Sequence, residues 1–271
     1  MRIRPKKSLG QHFLTCPWVA DAAIGAADLG PDDTVLEIGP GTGVLTRALA
    51  KRAGRVIAVE KDQDLAGGLA DALANKGISN VAIVTGDILR FDLATLPPGY
   101  KVAANIPYYL TARLIRMLLE TKNRPTSLVL AIQKEVAQRI VAKPPDMNML
   151  ALLVHSYADA RIIADVPASC FRPKPKVTSS LIKISRISED FFVKNGVLPE
   201  AFFSVAKKGF SSKRKMLGGT LRAFAPKKRI EEILARAGVR VSSRPQELSR
   251  ENWAWIVRAL SISISSGHTR P

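Results

Sequence analysis

The segment TVLEIGPGTG (residues 34–43) joins a short apolar run directly to a glycine-rich turn. Its first half, residues 34–38, is rich in β-branched and aliphatic side chains, which is typical of a strand buried on both faces. Glycines at alternate positions then allow a tight turn and let a ligand approach the backbone closely. Residues 43–52 continue with apolar positions at helical spacing. The segment therefore predicts a strand, a ligand-binding turn and a helix, in that order.

The same alternation of strand and helix patterns continues to about residue 133. The intervening segments, such as residues 64–75, have helical periodicity. Continuous apolar strands separated by helices predict an α/β fold with a parallel, doubly wound, Rossmann-like sheet. The further strand patterns are residues 55–59, 81–84, 101–104 and 128–132.

The pattern changes after the sequence PKPK at residues 173–176. One alternating strand, residues 178–185, is followed only by segments with helical periodicity. We therefore expect a Rossmann-like domain over residues 1–185, a smaller helical domain over residues 186–260 and a disordered polar tail over residues 261–271. The predicted helices of the second domain are residues 198–208, 212–224, 227–237 and 250–260.

The chain is strongly basic, with 41 Lys and Arg residues against 23 Asp and Glu residues and a formal net charge of +18. The segment from residue 181 onward holds 18 of the basic residues and only 7 of the acidic ones. Such an excess indicates a polyanionic partner, nucleic acid first and an anionic membrane surface second. Solvated helix faces, or a generally basic proteome, are the alternatives. The candidate phosphate-binding residues are Lys207, Lys208, Lys213, Arg214, Lys215, Lys227, Lys228 and Arg229.

Cysteine and histidine usage argues against several classes of site. Cys16 and Cys170 are the only cysteines and are far apart in sequence, which argues against a disulfide framework or a zinc site and suits a reducing compartment. The three histidines do not lie near a carboxylate cluster, so we expect no metal centre. No apolar run is long enough to cross a bilayer, and we expect no membrane contact and a cytoplasmic location. A removed organellar presequence is left open.

Carboxylates follow the predicted strands at positions that suit a nucleoside ligand. Glu60 ends the second strand, where a carboxylate can accept hydrogen bonds from both ribose hydroxyls. Asp87 follows the third strand, where it can accept from an adenine amino group or simply cap a helix. The glycine spacing is not the G-x-G-x-x-G of dinucleotide-binding enzymes. It looks like the first motif of Rossmann-like methyltransferases, so we expect S-adenosylmethionine as the cofactor.

The motif Asn105-Ile106-Pro107-Tyr108 follows the fourth strand, at the edge where open α/β sheets bind their ligands. It resembles the Asn/Asp-Pro-Pro-Tyr motif of enzymes that methylate amino nitrogens of bases. The Asn105 side-chain carbonyl and the Ile106 backbone carbonyl can accept the two N–H bonds of an exocyclic amine and make its nitrogen more nucleophilic. Pro107 makes the turn rigid, and Tyr108 offers a face on which an extruded base can stack. The alternative is a plain turn that ends a strand.

Several motifs in order make the chain similar to the small-subunit ribosomal RNA adenine dimethyltransferase family over nearly its whole length. They are KKSLGQHFL (6–14), QKEVAQR (133–139), PKPKVTS (173–179), FSSKRK (210–215) and RPQELS (244–249). The resemblance implies that the N-terminal motif packs over the methionine part of the cofactor. With the motif glycines and carboxylates, the predicted cofactor-binding residues are Gln11, His12, Leu14, Gly39, Gly41, Gly43, Glu60, Asp87, Ile88 and Asn105.

The resemblance also implies a substrate. It implies N6-dimethylation of two adjacent adenines in the 3′-terminal hairpin loop of small-subunit rRNA, within an assembling ribosomal particle and by a monomeric enzyme. The chain departs from the family pattern around Arg113, where a proline is usual, and near Met147. Two alternatives stay open: a large-subunit rRNA adenine methylase of the antibiotic-resistance type, and a non-enzymatic nucleic-acid-binding relative.

Overall fold

A seven-stranded sheet forms the centre of the fold. The computed structural model describes residues 5–6, 9–212 and 215–266, without the side chains of residues 262–266. The strand order is β4-β3-β2-β5-β6-β9-β7, and a separate two-stranded sheet pairs β1 with β8. The strands are β1 (Phe13–Leu14), β2 (Thr34–Ile38), β3 (Arg55–Glu60), β4 (Val81–Thr85), β5 (Lys101–Asn105), β6 (Ser127–Gln133), β7 (Asp159–Val166), β8 (Phe171–Arg172) and β9 (Ser179–Ser185).

The sheet is mixed rather than fully parallel. The five strands from β4 to β6 are parallel, as their continuous apolar runs predict. On the other side of the sheet, β9 runs antiparallel to β6, and β7 runs antiparallel to β9. The sequence pattern did not reveal β7, an edge strand of mostly exposed and half-buried residues with no continuous apolar run. The α/β Rossmann-like class itself is confirmed.

Helices cover the sheet and form most of the C-terminal part. The prediction of one helix over residues 212–224 is wrong, because a short helix and a 3₁₀ turn (Leu221–Ala223) replace it. Met216 has an extended backbone, so helix begins only at Leu217. The helices are α1 (Pro17–Ala27), α2 (Val44–Ala50), α3 (Gln63–Ala74), α4 (Thr111–Glu120), α5 (Lys134–Val141), α6 (Met149–Tyr157), α7 (Asp190–Asn195), α8 (Pro199–Gly209), α9 (Leu217–Thr220), α10 (Lys227–Arg236) and α11 (Arg250–Ser266).

The described residues form two compact units, whose boundary differs from the predicted one. The first contains the residues up to Gln138 together with Ala158–Ile187, and holds the whole seven-stranded sheet. The second contains Arg139–Tyr157 and the residues from Ser188 onward. Residues 139–157, predicted in the first domain, join the second because the completely buried side chains of α6 belong to its helical core. Helix α11 continues to Ser266, so the first residues of the predicted disordered tail, 261–266, are helical. Residues 267–271 lie outside the described residues.

A disulfide joins Cys16 to Cys170, and the expectation of no disulfide is therefore wrong. The sequence separation of 154 residues concealed it, because β1 pairs antiparallel with β8 and brings the two Cα atoms to 5.0 Å. That distance is typical of a disulfide. Cysteine usage consequently gives no support for a reducing compartment.

The described part of the chain contains no helix that is long and apolar enough to cross a membrane. Over the same residues no group of three or more His, Cys, Asp or Glu side chains is arranged to hold a metal ion.

Candidate active site

The candidate site lies at the carboxyl edge of the parallel strands, where the strand order reverses. From β2 the chain adds β3 and β4 on one side and then β5 on the other. The loops that follow β2 and β5 therefore flank one crevice, the usual ligand position in such sheets. A cavity of about 950 Å³, part of it open to solvent, occupies this crevice.

The glycine turn after β2 shapes one wall of the cavity. Gly41 has a φ of +54°, and a Cβ atom there would lie 2.9 Å from the Phe13 ring. Only glycine therefore allows the N-terminal segment to close over the turn. Gly43 was predicted to bind the cofactor but does not line the cavity. Gly43 has a φ of +77°, and a Cβ atom there would lie 2.4 Å from a Leu69 methyl group. Glycine is therefore needed at this position because the backbone packs closely against α3.

Two buried carboxyl groups line the cavity. Glu37 is 1% exposed, and burial raises its pKa to about 8. Its Oε2 atom has no hydrogen-bond partner among the described residues. Burial also raises the pKa of Glu60, although its carboxylate accepts hydrogen bonds from the backbone N–H groups of Asp62 and Gly41, at 2.9 and 3.1 Å. A bound cation would favour the ionised form of both carboxyl groups, so these residues fit a ligand with cationic groups, such as the sulfonium and ammonium groups of S-adenosylmethionine.

Asp87 is a cap, as one of the two alternatives predicts, and it also lies at the cavity. It caps a 3₁₀ turn, with Oδ1 accepting from the Leu89 N–H at 3.0 Å, and it also lines the cavity. Its other oxygen pairs with Lys61 at 2.9 Å, and this ion pair keeps the pKa of Asp87 below its ordinary value. Asp87 is therefore an ionised acceptor held at the cavity wall.

The N-terminal segment is fastened to the start of α3. The carboxylate of Asp62 caps α3 and accepts hydrogen bonds from Lys6 Nζ at 2.8 Å and from Gln11 Nε2 at 3.2 Å. Burial acts to raise the pKa of Asp62, but the hydrogen bonds from Lys6, Gln11 and the Asp64 backbone, together with the charge of Lys6, outweigh it and the pKa is lowered. These contacts hold the N-terminal segment in place, and Gln11 and the residues on either side of it line the cavity.

The Asn105 side chain has one defined orientation. It ends β5, and its Nδ2 atom donates a hydrogen bond to the backbone carbonyl of His12 at 2.8 Å. Because the amide nitrogen is used in this way, the carbonyl oxygen Oδ1 is the end left to accept from a ligand. The neighbouring Ile106 is 2% exposed and donates its backbone N–H to Ala131, which extends the pairing of β5 with β6.

Tyr108 begins a 3₁₀ turn and is half-buried. Its ring stacks with that of His12, with centroids 5.8 Å apart and planes at 25°. Its hydroxyl lies 2.8 Å from Ser179 Oγ. Burial raises the pKa of Tyr108, so the phenol is neutral at physiological pH. The aromatic face predicted for base stacking is therefore present and fixed in orientation.

The structure brings nearly all the predicted site residues together. With the exception of Gly43, every predicted cofactor-binding and catalytic residue lines the one cavity. Sequence reasoning missed Glu37, although a charged residue inside an apolar strand was a visible signal. It also missed Lys6, Asp62 and Ser179, whose roles depend on contacts between distant segments.

The basic residues lie in the second unit and are distributed over separate elements. Lys207 and Lys208 are exposed in the last turn of α8. Their positive charges also interact favourably with the negative end of the helix dipole there. Lys215 and Lys228 are exposed as well. Ion pairs within α10 engage Lys227 and Arg229, which weakens their case as phosphate ligands. Lys213 and Arg214 lie outside the described residues.

Comparisons with known proteins agree with this geometry. The family described as "Ribosomal RNA adenine dimethylase" matches residues 2–261. The chain belongs to the ribosomal RNA adenine dimethylase family. Among curated relatives of this chain, "Ribosomal RNA small subunit methyltransferase A" of Dehalococcoides mccartyi is 40% identical over 93% of this chain and 87% of that one. The protein of the same name from Nostoc sp. is 36% identical over 96% and 99%.

Two solved structures resemble this chain over nearly its whole length. A dimethyladenosine transferase from Plasmodium falciparum is 26% identical, with a TM-score of 0.79 and coverage of 94% of this chain and 98% of that chain. The 23S rRNA methyltransferase ErmE is also 26% identical, with a TM-score of 0.74 and coverage of 92% and 99%. The resemblance to the dimethyltransferase family is thereby confirmed, as is methyltransferase activity on ribosomal RNA.

Proposed function

We propose that the chain uses S-adenosylmethionine to dimethylate the N6 amines of two adjacent adenines in the 3′-terminal hairpin loop of small-subunit rRNA, during assembly of that subunit. The observation that carries the proposal is the fixed amide of Asn105, whose Oδ1 is left to accept from an amine at the cavity. The relatives named as small-subunit methyltransferases support the choice of subunit.

We propose that the cofactor lies between the glycine turn and the N-terminal segment. Glu60 accepts hydrogen bonds from the ribose hydroxyls, and Asp87 with Ile88 holds the adenine. Glu37 provides a carboxyl group for a cationic part of the ligand, while Gln11, His12 and Leu14 cover it. When bound, the cofactor supplies the methyl group on its sulfonium centre.

The reacting adenine is held by the motif after β5. Asn105 Oδ1 and the Ile106 carbonyl accept the two amine N–H bonds, which favours a pyramidal and more nucleophilic nitrogen. Tyr108 stacks on the extruded base, and an aromatic contact of this kind contributes roughly 1–3 kcal/mol per base. The chain needs no base before the attack, because the amine loses a proton readily after it gains the methyl group. Alignment for in-line displacement is the main contribution.

We propose the pre-ribosomal small subunit as the partner, the cytoplasm as the location and a monomer as the active form. Extruding a loop adenine requires little free energy, because the base is already unpaired. The exposed cations of the second unit, such as Lys207, Lys208 and Lys228, provide contacts to the RNA backbone.

A large-subunit rRNA methylase is the second candidate. The similarity to ErmE over 92% of this chain favours it, because that protein is named for 23S rRNA. The curated relatives at 36–40% identity favour the small-subunit enzyme. A non-enzymatic nucleic-acid binder is disfavoured by the complete set of cavity residues.

One experiment separates the three possibilities. The purified chain is incubated with methyl-labelled S-adenosylmethionine and with immature small or large subunits, and the labelled nucleosides are identified. We expect N6,N6-dimethyladenosine in small-subunit RNA alone. Label in large-subunit RNA alone would establish the second candidate, and label in neither would leave the non-enzymatic binder.

A further inference from the structure

We infer that Ser179 is a positioning residue for base stacking, and that it acts by holding the Tyr108 phenol from the neighbouring antiparallel strand. The inference deepens the proposed function and rests on it. The juxtaposition that carries it is the 2.8 Å approach of Ser179 Oγ to the Tyr108 hydroxyl across 71 residues of sequence.

The sheet topology explains why Ser179 reaches the site. Strand β9 runs antiparallel to β6, so its first residue lies at the carboxyl edge of the parallel strands. Ser179 stands opposite Gln133, the last residue of β6, and β6 pairs directly with the strand that ends at Asn105. Because β9 is antiparallel to its neighbour, its first residue places a hydroxyl group at the edge of the sheet where the cavity lies.

Ser179 is buried, so its hydroxyl needs a hydrogen-bond partner within the protein. Its exposed fraction is 1%, and a buried hydroxyl without a hydrogen bond is costly. The Tyr108 phenol meets this requirement, and the hydrogen bond partly offsets the effect of burial on the Tyr108 pKa. The contact therefore connects a rigid strand to the tip of the aromatic ring.

The chain just before Ser179 also contacts His12, whose ring stacks on Tyr108. His12 Nδ1 lies 2.7 Å from the Pro173 carbonyl, and because a carbonyl only accepts, Nδ1 carries the proton. The His12 ring covers one face of Tyr108. The base must then use the other face, and Ser179 sets the angle at which that face is presented.

Loss of this tether should affect catalysis more than folding. Without it the ring can rotate, and small misplacements of reacting groups reduce rates strongly. From the usual net contribution of one hydrogen bond, we expect Ser179→Ala to lower kcat about three- to ten-fold. The KM for S-adenosylmethionine should change little.

Ser180→Ala is a matched control. Ser180 is the next residue, is equally buried and also forms a side-chain hydrogen bond, to Asp165 at 2.8 Å. The substitution removes one buried hydroxyl from the same strand without touching Tyr108. We expect Ser180→Ala to keep the kcat of the unsubstituted protein, with a loss of thermal stability similar to that of Ser179→Ala.

A double-mutant cycle with Tyr108→Phe tests the coupling. We expect Ser179→Ala and Tyr108→Phe to reduce kcat by similar factors, and the double variant to be no slower than either. A hairpin RNA with 2-aminopurine at the target position, bound with S-adenosylhomocysteine, reports stacking without methyl transfer. Its fluorescence should be less quenched by Ser179→Ala than by Ser180→Ala.

The outcomes separate this inference from the proposed function. Equal kcat for the two serine variants, or losses that multiply in the double variant, would overturn the positioning role. If the unsubstituted protein labels only large-subunit RNA, the proposed function fails, and the same cycle on that RNA still decides the role of Ser179. Absence of both methylation and 2-aminopurine quenching would overturn both.

Discussion

A single hydrogen bond determines how Asn105 presents its amide. Since Nδ2 donates to the His12 carbonyl, an amide flip would place two acceptors, Oδ1 and the His12 oxygen, against each other. Asn105, the proposed acceptor for the reacting amine, is thus oriented by the N-terminal segment and not by its own strand. The sequence motif identifies Asn105, but only the structure shows why its oxygen is left without the hydrogen bond that its nitrogen makes.

Asn105→Ala should abolish methyl transfer while largely sparing the fold. The substitution removes the acceptor for the amine, and we expect kcat to fall by at least about 100-fold, as for other single catalytic hydrogen bonds. Asn123→Ala is the matched control, because the Asn123 side chain donates to two backbone carbonyls at 2.9 and 2.8 Å. It should lower the melting temperature and preserve kcat. Single-turnover rates and thermal unfolding measure both, and near-normal turnover of Asn105→Ala would remove Asn105 from the mechanism.

Glu37 should make the stability of the protein depend on pH. Its pKa is raised from 4.5 to about 8 in the folded protein, so the folded state retains a proton that the unfolded state releases. The stabilising contribution is complete below pH 4.5 and is lost as the pH rises through about 8. The slope approaches about −1.4 kcal/mol per pH unit in this interval.

Comparison with Glu37→Gln isolates this effect, because glutamine has the same shape and does not titrate. Urea unfolding at several pH values between about 5 and 9 should show the free energy of unfolding of the original protein falling relative to that of the variant. Parallel curves would mean that Glu37 has an ordinary pKa.

At the scale of elements, the N-terminal segment depends on the start of α3. Asp62→Asn keeps a side chain that caps the helix but removes the charge that binds Lys6. We expect the KM for S-adenosylmethionine to rise about two- to five-fold, as for one partly exposed ion pair, with kcat retained at saturation.

Asp92→Asn is the control for this prediction. Asp92 caps a 3₁₀ turn by accepting from the Ala94 N–H at 2.9 Å and is not ion-paired with a described lysine or arginine. It should leave the KM unchanged. An equal KM for Asp62→Asn and the unsubstituted protein would show that the fastening does not contribute to cofactor binding.

The elements also show where sequence reasoning succeeds and where it stops. Strand β2 was predicted with its observed bounds, because Val35, Leu36 and Ile38 give it an apolar character and the fold buries all three. Strand β7 was missed, because an edge strand needs no such run. The Cys16–Cys170 bond and the Tyr108–Ser179 contact were not predictable from spacing, because each depends on strands that pair across distant segments. Local chemistry was therefore predictable, and the contacts that orient it were not.

At the scale of the whole molecule, the net charge of +18 raises the question of whether specific cations bind RNA or the charge acts diffusely. Lys207, Lys208 and Lys228 are exposed residues of the second unit. If each binds a phosphate, substitution of all three by glutamine should weaken binding to the small-subunit particle. The slope of log K against log salt should also become shallower, by roughly 0.7–0.9 for each phosphate that is no longer neutralised.

The control substitutes three exposed cations of the first unit, Lys51, Arg52 and Arg55, by glutamine. Arg55 begins β3, and the other two precede it, so all three lie at the amino edge of the sheet, opposite the cavity. Both variants lose the same formal charge, and a diffuse field would be weakened equally by each. We expect the salt slope to change only for the substitutions in the second unit, as measured by fluorescence titrations between about 50 and 300 mM salt, a range over which the Debye length falls by more than half. Equal changes in the two variants would assign the electrostatic attraction to net charge and remove these lysines from the interface.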